Sequence, residues 1–126
     1  MSNSRQELGA LAETIACRYL LQKGYELITR NYRKPWGELD AVMRNGDDII
    51  VVEVKANRFA SADFDPENRA DSEKLRKVAR TATLFIEREL TLMDVPWQID
   101  VISVTFSDQG EKAHLKHFKN VYDNPY

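Results

Sequence analysis

The first third of the chain predicts a helix followed by a strand. Apolar side chains recur every three or four residues from Leu8 to Leu20, which is the spacing of an amphipathic α-helix. Gly24 comes directly after this pattern, and glycine commonly ends a helix because it tolerates a left-handed backbone. Residues 25–33 are then rich in β-branched and aromatic side chains. We therefore expect a helix over residues 8–20 and a strand over residues 25–33.

Two more strands are predicted before the middle of the chain, over residues 38–44 and 48–56. Pro35-Trp36-Gly37 separates the first from residues 25–33, and Asn45-Gly46-Asp47 between them is typical of a hairpin turn. Both segments are apolar on the two faces that a strand presents, so helices are expected to cover the sheet on both sides.

The second half of the chain predicts one helix and two strands. An apolar stripe marks a helix over residues 75–86, with Asp65-Pro66 or Asp71 as the cap. The remaining segments are a loop over residues 57–70, strands over residues 98–106 and 112–118, and a frayed end at 120–126. The predicted fold is α/β, with a central mixed sheet between helices and the order αβββαββ.

Composition narrows the class of protein. A chain of 126 residues fits a single domain over residues 1–126, and its 43% hydrophobic content is ordinary for a globular protein. Cys17 is the only cysteine, which excludes an intramolecular disulfide and a site of several thiolates. With no apolar signal core and no apolar span of membrane length, a cytoplasmic protein without membrane contact is expected.

Charge restricts how the chain would meet nucleic acid. Eighteen Lys and Arg against twenty Asp and Glu give a net charge of −2, which argues against binding by bulk charge. Two local basic clusters remain, at Arg30, Arg33 and Lys34 and at Lys74, Arg76, Lys77 and Arg80. Arg33, Lys34, Lys74 and Lys77 are candidate phosphate contacts. The alternative is that both clusters are solvated surface, as charge runs usually are.

Three charged residues interrupt the apolar strands, Asp40, Glu53 and Lys55. If Asn45-Gly46 is a two-residue loop, Arg44 pairs with Asp47 and Asp40 lies diagonal to Glu53. If the loop runs from residue 45 to residue 48, Asp40 lies directly opposite Glu53, with Cβ atoms about 5 Å apart. Both even-length loops place the three side chains on one face, whereas a plain three-residue loop separates them.

This arrangement favours metal-assisted chemistry. Two neighbouring carboxylates repel each other and are stable together chiefly around a hard divalent cation such as Mg²⁺. Asp40 and Glu53 are therefore candidate metal ligands, and Lys55 is a candidate for orienting water or neutralising charge on phosphorus. The predicted reaction is hydrolysis of a nucleic-acid backbone. The competing interpretation makes Glu53 and Lys55 exposed strand-end residues and Asp40 a neighbour of a turn.

Taken with their surroundings, these residues resemble the PD-(D/E)XK nuclease superfamily, and more narrowly the YraN-like family of small bacterial proteins, which is similar to archaeal Holliday junction resolvases. The stretches that carry the resemblance are Leu8-Gly9-Ala10-Leu11-Ala12-Glu13, Arg30-Asn31-Tyr32-Arg33, Gly37-Glu38-Leu39-Asp40, Val51-Val52-Glu53-Val54-Lys55 and Ile99-Asp100-Val101-Ile102. The resemblance implies a restriction-endonuclease-like core and matches Asp40, Glu53 and Lys55 to the superfamily motif.

The same resemblance implies further expectations. Glu13 would assist at the metal, because related nucleases place a first-helix glutamate beside it; the helical wheel alone leaves Glu13 facing either a pocket or solvent. A DNA endonuclease using Mg²⁺ or Mn²⁺ is implied, with branched or junction DNA as one substrate class and a twofold homodimer for paired incisions. The rivals are a non-catalytic DNA-binding or repair-accessory module of the same fold and a structural interaction protein.

Overall fold

The computed structural model describes residues 4–58, 72–91, 95–107 and 112–122. The helices and strands are α1 (Arg5–Gln22), β1 (Glu26–Lys34), β2 (Gly37–Asn45), β3 (Asp48–Arg58), α2 (Ser72–Arg88), β4 (Trp97–Phe106) and β5 (Ala113–Phe118). This order confirms the predicted αβββαββ arrangement. Within the described residues, neither helix is both long and apolar enough to cross a membrane.

The first helix begins earlier than its apolar pattern. The Ser4 hydroxyl accepts a hydrogen bond from the Glu7 backbone N–H, and the Glu7 carboxylate accepts one from the Ser4 N–H, both at 3.1 Å. This capping box satisfies two N–H groups that have no partner within the helix. The first turn is therefore polar, so the hydrophobic period starts only at Leu8. Gly24 follows the helix with a φ of 94°, as the sequence predicts.

The five strands form one sheet in the order β1-β2-β3-β4-β5. Neighbouring strands are antiparallel except for β3 and β4, which are parallel. Parallel neighbours need a long crossover, and α2 lies in the connection between them. The predicted mixed sheet is therefore confirmed.

Each face of the sheet carries its own hydrophobic core. The α1-side core joins α1 to one face through Ala12, Ala16, Leu20, Ala41, Met43, Ile50, Val52 and Ile102 among others. The α2-side core joins α2 to the other face through Leu39, Val42, Val51, Val78, Ala82, Phe85 and Val101 among others. Strands covered on both faces bury nearly every side chain, which explains their continuous apolar runs.

The β2–β3 hairpin fixes which residues of the two strands meet. Asn45 pairs with Asp48 and Arg44 with Ile49, so Gly46 and Asp47 form the turn, with Gly46 at a φ of 63°. The register that pairs Arg44 with Asp47 is therefore wrong. The alternative register, with Arg44 opposite Ile49, is confirmed as far as Ala41 and Val52, although the turn is two residues shorter than the predicted loop.

Two predictions about irregular segments need correction. Asn57 and Arg58 belong to β3 rather than to a loop, since β3 stays paired with β4 as far as Arg58 and Phe106. Residues 120–122 are not frayed: the Asn120 N–H donates to Asp100 Oδ1 at 2.9 Å and the Val121 N–H to the Ile99 carbonyl at 2.8 Å. The rest of the predicted loop, both proposed caps of the second helix and residues 123–126 lie outside the described residues.

Candidate active site

Asp40 lies where β2 departs from regular alternation. Leu39 and Val42 pack into the α2-side core, whereas Ala41 and Met43 pack into the α1-side core. In a regular strand, residues 39, 41 and 43 would share one face of the sheet. The irregularity therefore falls at the level of Asp40.

The neighbouring strand carries a matching irregularity at Asn31. The pairings on either side place Asn31 opposite Asp40 in the β1–β2 ladder. Asn31 has a φ of 54°, in the left-handed region that asparagine enters more readily than most residues with a side chain. Both strands therefore depart from regular geometry at the level of Asp40, which the sequence predicts as a metal ligand.

The Asp40 carboxylate takes the place of a backbone acceptor. The β2–β3 backbone pairing is regular up to Ala41 and Val52, and beyond it the Val54 N–H donates to Asp40 Oδ2 at 2.8 Å. A backbone N–H group that water cannot reach needs another hydrogen-bond acceptor. The Asp40 carboxylate supplies this acceptor for the Val54 N–H. It also fixes the carboxylate beside the residue that follows Glu53.

Glu53 is a buried acid that faces α2. Its side chain is 7% exposed, and Lys74 Nζ lies 2.7 Å from its Oε1. Lys74 comes from the first turn of α2 and is half exposed. A buried carboxylate costs several kcal/mol unless it is paired, so this ion pair compensates the burial of Glu53. The exposed-ladder interpretation of Glu53 is therefore wrong.

Asp40 and Glu53 open onto one recess of about 260 Å³ between the hairpin and α2. We call it the acidic recess. Its other lining residues are Trp36, Gly37, Glu38, Lys74, Lys77, Val78 and Thr81. The structure thus gathers three carboxylates and two lysines around a space that is open to solvent.

The electrostatics of the acidic recess oppose two full negative charges. Burial raises the pKa of Glu53, and the neighbouring Asp40 raises it further, against the favourable charges of Lys74 and Lys55. Burial likewise raises the pKa of Asp40, although the Val54 N–H and Lys74 oppose the shift. Both acids therefore hold a proton more readily than in water, and a cation would favour their ionised forms.

The pKa of Lys74 is shifted by the same two acids, Asp40 and Glu53. Burial alone would lower the pKa of its ammonium group, but Glu53 and Asp40 outweigh burial and the pKa is raised. The ammonium therefore stays charged at neutral pH and balances part of the acidic charge.

Lys55 lies two residues beyond Glu53 on β3, so strand alternation places it on the same face. It pairs with Ser103 of β4 and is partly buried. Its charge lowers the pKa of Glu53, which is consistent with an ammonium group close to the pair. Asp40, Glu53 and Lys55 are therefore neighbours in space, as the hairpin register predicts; their chemical roles stay predictions.

Glu13 lines a different space. It is partly buried on α1 and lines a recess of about 350 Å³ between α1 and β1, together with Arg30 and Arg33. Burial raises the pKa of Glu13, and Asp40 adds to the shift. Glu13 is thus electrostatically linked to Asp40 from a neighbouring recess. Of the two orientations that the helical wheel leaves open, the structure has the one toward a pocket.

The predicted phosphate contacts fall into two groups. Lys74 and Lys77 line the acidic recess, whereas Arg33 lines the recess beside Glu13. Lys34 is exposed, with its ammonium group 5.6 Å from the centre of the Tyr32 ring. The structure adds a contact that the spacing does not predict, the ion pair of Lys74 with Glu53.

Metal ligands are fewer than a closed metal centre would need. Among the described residues, no group of three or more Asp, Glu, His and Cys side chains lies close enough to hold an ion. Mg²⁺, however, is usually bound through one or two carboxylates and keeps several waters. Asp40 and Glu53 fit that donor set, and their pKa values stay raised although Lys74 compensates part of their charge.

Several residues at the site have no sequence pattern that would predict their position beside the acids. Gly37 packs so tightly against α2 that a Cβ atom there would overlap the Thr81 hydroxyl. Trp36, 45% exposed, stands at the rim with the Arg88 guanidinium 5.7 Å from its ring centre. Each is one residue with ordinary chemistry, and only the fold brings them beside the acids. Trp36 is therefore an exposed residue of the rim and not part of the core.

Comparison with known proteins places the chain in a family. A family model described as "Uncharacterised protein family UPF0102" matches residues 12–104. A UPF0102 protein of Thermotoga maritima is 38% identical over 111 residues, covering 88% of this chain and 93% of the relative. One from Geobacter metallireducens is 34% identical over 126 residues, covering all of both chains. One from Syntrophotalea carbinolica is 36% identical over 124 residues, or 98% and 97% of the two chains.

The matched region contains Glu13, Asp40, Glu53 and Lys55 as well as both lysines of the acidic recess. The relatives also match at nearly full length, so the similarity covers the elements that build the site and those that support it. On this evidence the expected YraN-like membership is confirmed, and the chain belongs to the UPF0102 family.

Proposed function

We propose that this chain is a metal-dependent DNA endonuclease that hydrolyses phosphodiester bonds at Asp40, Glu53 and Lys55. The observation that carries the proposal is that buried Glu53 and partly buried Asp40 share one open recess. Acids in a cleft whose pKa values are raised by burial and by a neighbouring acid, Glu38 for Asp40 and Asp40 for Glu53, are typical of functional sites. A purely structural role would not require two like charges to share a space that water can enter.

The chain's own groups fit the parts of such a reaction. Mg²⁺ or Mn²⁺ held by Asp40 and Glu53 would polarise a phosphoryl oxygen and lower the pKa of a bound water. Lys55, beside the pair, orients the attacking water or neutralises charge developing on phosphorus. Water then adds to phosphorus as the bond to the leaving oxygen breaks. Lys77 and Lys74 line the wall of the acidic recess and hold the phosphate there.

Lys74 also compensates the charge of Glu53 when no metal is bound. Its ammonium group, 2.7 Å from Glu53, supplies positive charge where the cation would otherwise be needed. Lys74 is half exposed on the first turn of α2, so its side chain is free to turn toward solvent or toward a phosphate when a cation arrives. The free protein is thereby stabilised without a metal.

Resemblance adds support from the whole fold. The order αβββαββ with an acid on β2 and a Glu-x-Lys motif on β3 resembles the restriction-endonuclease-like core of the PD-(D/E)XK superfamily and archaeal Holliday junction resolvases. Branched DNA is therefore the first substrate to test, with a twofold homodimer for paired incisions. Fold-level likeness alone is an analogy, so the proposal depends on the site chemistry.

The test is cleavage of labelled single-stranded, duplex, flap and four-way DNA with Mg²⁺ or Mn²⁺. Wild type should cut at least one of these substrates, and Lys55→Ala should lose cleavage by about 10²-fold or more while it still binds the DNA. Lys116→Ala, an exposed lysine on β5, is the matched control and should cut like wild type. Circular dichroism establishes that each variant is folded.

A different result would favour the accessory role. If wild type binds these substrates but cuts none under either metal, the fold serves a DNA-binding or repair-accessory module. Cleavage that survives unchanged in Lys55→Ala would remove Lys55 from the mechanism.

A further inference from the structure

We propose that the recess between α1 and β1 binds a phosphate group of the nucleic-acid backbone, at a subsite separate from the acidic recess. The choice of ligand rests on the proposed function. The recess has a volume of about 350 Å³ and is lined by Gly9, Glu13 and Thr14 of α1 and by Arg30 and Arg33 of β1. We call it the arginine recess.

Arg30 is the residue that points to a ligand. Its guanidinium is partly buried, and Nη2 donates a long hydrogen bond of 3.4 Å to the Thr14 hydroxyl. Its Nε is buried and has no hydrogen-bond acceptor among the described residues. A buried charged donor without an acceptor is costly. If the Arg30 side chain turns toward the recess, a phosphate oxygen can satisfy this donor, because the planar guanidinium fork matches two phosphate oxygens at once.

The opposite wall leaves room for that ligand. Gly9 lies inside α1, and a Cβ atom built on it would meet nothing within 4 Å. Glycine inside a helix is less stabilising than alanine, so Gly9 lowers the stability of α1. A larger side chain at this position would narrow the recess. The small residue and the buried guanidinium thus face the same open space.

Charge around the arginine recess favours an anion. Two guanidinium groups, Arg30 and Arg33, face the single carboxyl of Glu13, whose pKa is raised by burial and by Asp40. The contact of Arg33 with Glu38 is long, 3.9 Å, and exposed, so it leaves the charge of Arg33 largely available. The chain as a whole carries a net charge of −2, so an anion is attracted to this local excess of positive charge and not to the surface in general.

The position of the recess relates it to the proposed chemistry. Asn31 lines the arginine recess and lies opposite Asp40 in the β1–β2 ladder, and Asp40 lines the acidic recess, so residues of the two recesses are adjacent across this ladder. In the proposed complex, one phosphate of the nucleic-acid strand lies against Asp40 and Glu53 and another lies against Arg30. Such a contact would fix the register of the strand without reading its sequence.

The first test uses inorganic phosphate and the whole chain, without metal. Phosphate should raise the melting temperature of wild type relative to chloride at equal ionic strength, because it binds the folded state alone. Arg30→Met and Arg30→Lys should lose most of this shift, the lysine because it lacks the fork and the Nε donor. Arg44→Met, an exposed arginine on β2, should keep the full shift.

The second test leaves Arg30 in place and changes the opposite wall. Gly9→Glu puts a carboxylate into the recess and should abolish the phosphate shift, whereas Gly9→Ala should keep it. Both substitutions favour the helix, so neither depends on a weakened fold. For a short labelled oligonucleotide in EDTA, Arg30→Met and Gly9→Glu should each weaken binding about tenfold, and Arg30→Met should flatten the salt dependence by about one phosphate contact.

The outcomes separate this inference from the proposed function. If wild type binds phosphate through Arg30 but never cleaves DNA, the subsite stands and the nuclease proposal fails. If DNA is cut but folded Arg30→Met, Arg30→Lys and Gly9→Glu proteins respond to phosphate and bind the oligonucleotide like wild type, the arginine recess is not a phosphate subsite.

Discussion

A single carboxylate, Asp40, connects the fold to the proposed chemistry. It accepts the Val54 N–H at 2.8 Å and so replaces a ladder bond, yet it also faces Glu53 across the acidic recess. The first contact stabilises the folded chain and the second destabilises it, because burial raises the pKa values of both acids and Asp40 raises that of Glu53 further. Substitutions that separate the two effects test this description.

Asp40→Asn should stabilise the protein without metal, and Asp40→Ala should not. The asparagine carbonyl can still accept the Val54 N–H while the charge is removed, so we expect the free energy of unfolding to rise by about 1 kcal/mol near pH 7. Alanine leaves that N–H without an acceptor, which costs about 1–3 kcal/mol. Urea unfolding in EDTA measures both.

The pH dependence of that difference has a definite sign. A carboxyl whose folded-state pKa is raised binds more protons when folded, so its ionisation reduces stability as pH rises from the unfolded-state pKa through the folded-state pKa. The ordinary values are 3.8 for Asp40 and 4.5 for Glu53, and the folded values lie above them. The gain from Asp40→Asn should therefore disappear below about pH 4. A gain that is constant from pH 4 to pH 8 would contradict the raised pKa values.

Lys74→Gln should strengthen metal binding and weaken the metal-free protein. Without the ammonium group 2.7 Å from Glu53, the two acids lose their compensating charge, and a divalent cation no longer competes with it. The Mg²⁺ concentration needed for half of the thermal shift should fall several-fold relative to wild type. Arg80→Gln, exposed on the same helix, is the control. An unchanged or higher Mg²⁺ requirement in Lys74→Gln would contradict this role.

At the scale of elements, the acidic recess depends on how closely α2 approaches the β1–β2 connection. Gly37 opens β2 and meets Thr81 of α2 so closely that a Cβ atom would overlap the threonine hydroxyl. Since Lys74 and Lys77 are carried by the same helix, this contact also sets their distance from Glu53. The close approach is a requirement of the site as well as of the core.

Gly37→Ala should therefore disturb both stability and site. The added methyl must displace α2 or the hairpin, and overpacking of this kind costs about 1–3 kcal/mol. Thermal unfolding should show the loss, and Thr81→Ala in the same chain should recover part of it because it removes the overlapping hydroxyl. Equal stability of Gly37→Ala and wild type would mean that the helix moves freely.

Elements were more predictable than their junctions. Period and turn residues are enough for the order αβββαββ, because each strand carries its own β-branched run and each helix its own apolar stripe. The hairpin register was one of two alternatives, since the sequence allows both a two-residue loop at Asn45-Gly46 and a longer loop from residue 45 to residue 48. The irregularity at Asp40 has no sequence signal, because it depends on Asn31 in the adjacent strand.

At the scale of the whole molecule, another buried carboxylate, that of Asp100, has a structural role. Asp100 is fully buried and accepts hydrogen bonds from Gln98, from the His117 ring at 2.7 Å and from the Asn120 N–H. The other ring nitrogen of His117 hydrogen-bonds with the Tyr19 hydroxyl at 3.1 Å. One network thus joins α1, β4, β5 and the segment after β5, and all its partners come from the chain.

His117→Phe should destabilise the whole fold. It removes one partner of a buried carboxylate, and breaking such a pair costs about 3 kcal/mol. His114→Phe, on the same strand but exposed, should change stability by less than about 0.5 kcal/mol. Denaturant unfolding of both variants checks the difference, and similar losses would show that the network contributes little.

The contrast between the two acidic sites explains what the sequence could reveal. Asp100 and Asp40 are both acids among apolar residues, but only Asp40 has a second acid at the opposite strand position. Register therefore predicts the Asp40 and Glu53 pair. The Lys74 ion pair, the Thr81 contact and the arginine recess join residues far apart in sequence, so local patterns do not predict them.

The central claim is that Asp40 and Glu53 together bind one divalent cation. Titration of the metal-free chain with Mn²⁺ by calorimetry tests it most directly, since Mn²⁺ binds such oxygen sites more measurably than Mg²⁺ does. We expect one Mn²⁺ per chain in wild type and in Glu38→Gln, whose carboxyl lines the recess but is exposed, and no measurable binding in Glu53→Gln. Unchanged Mn²⁺ binding by folded Glu53→Gln would contradict the account.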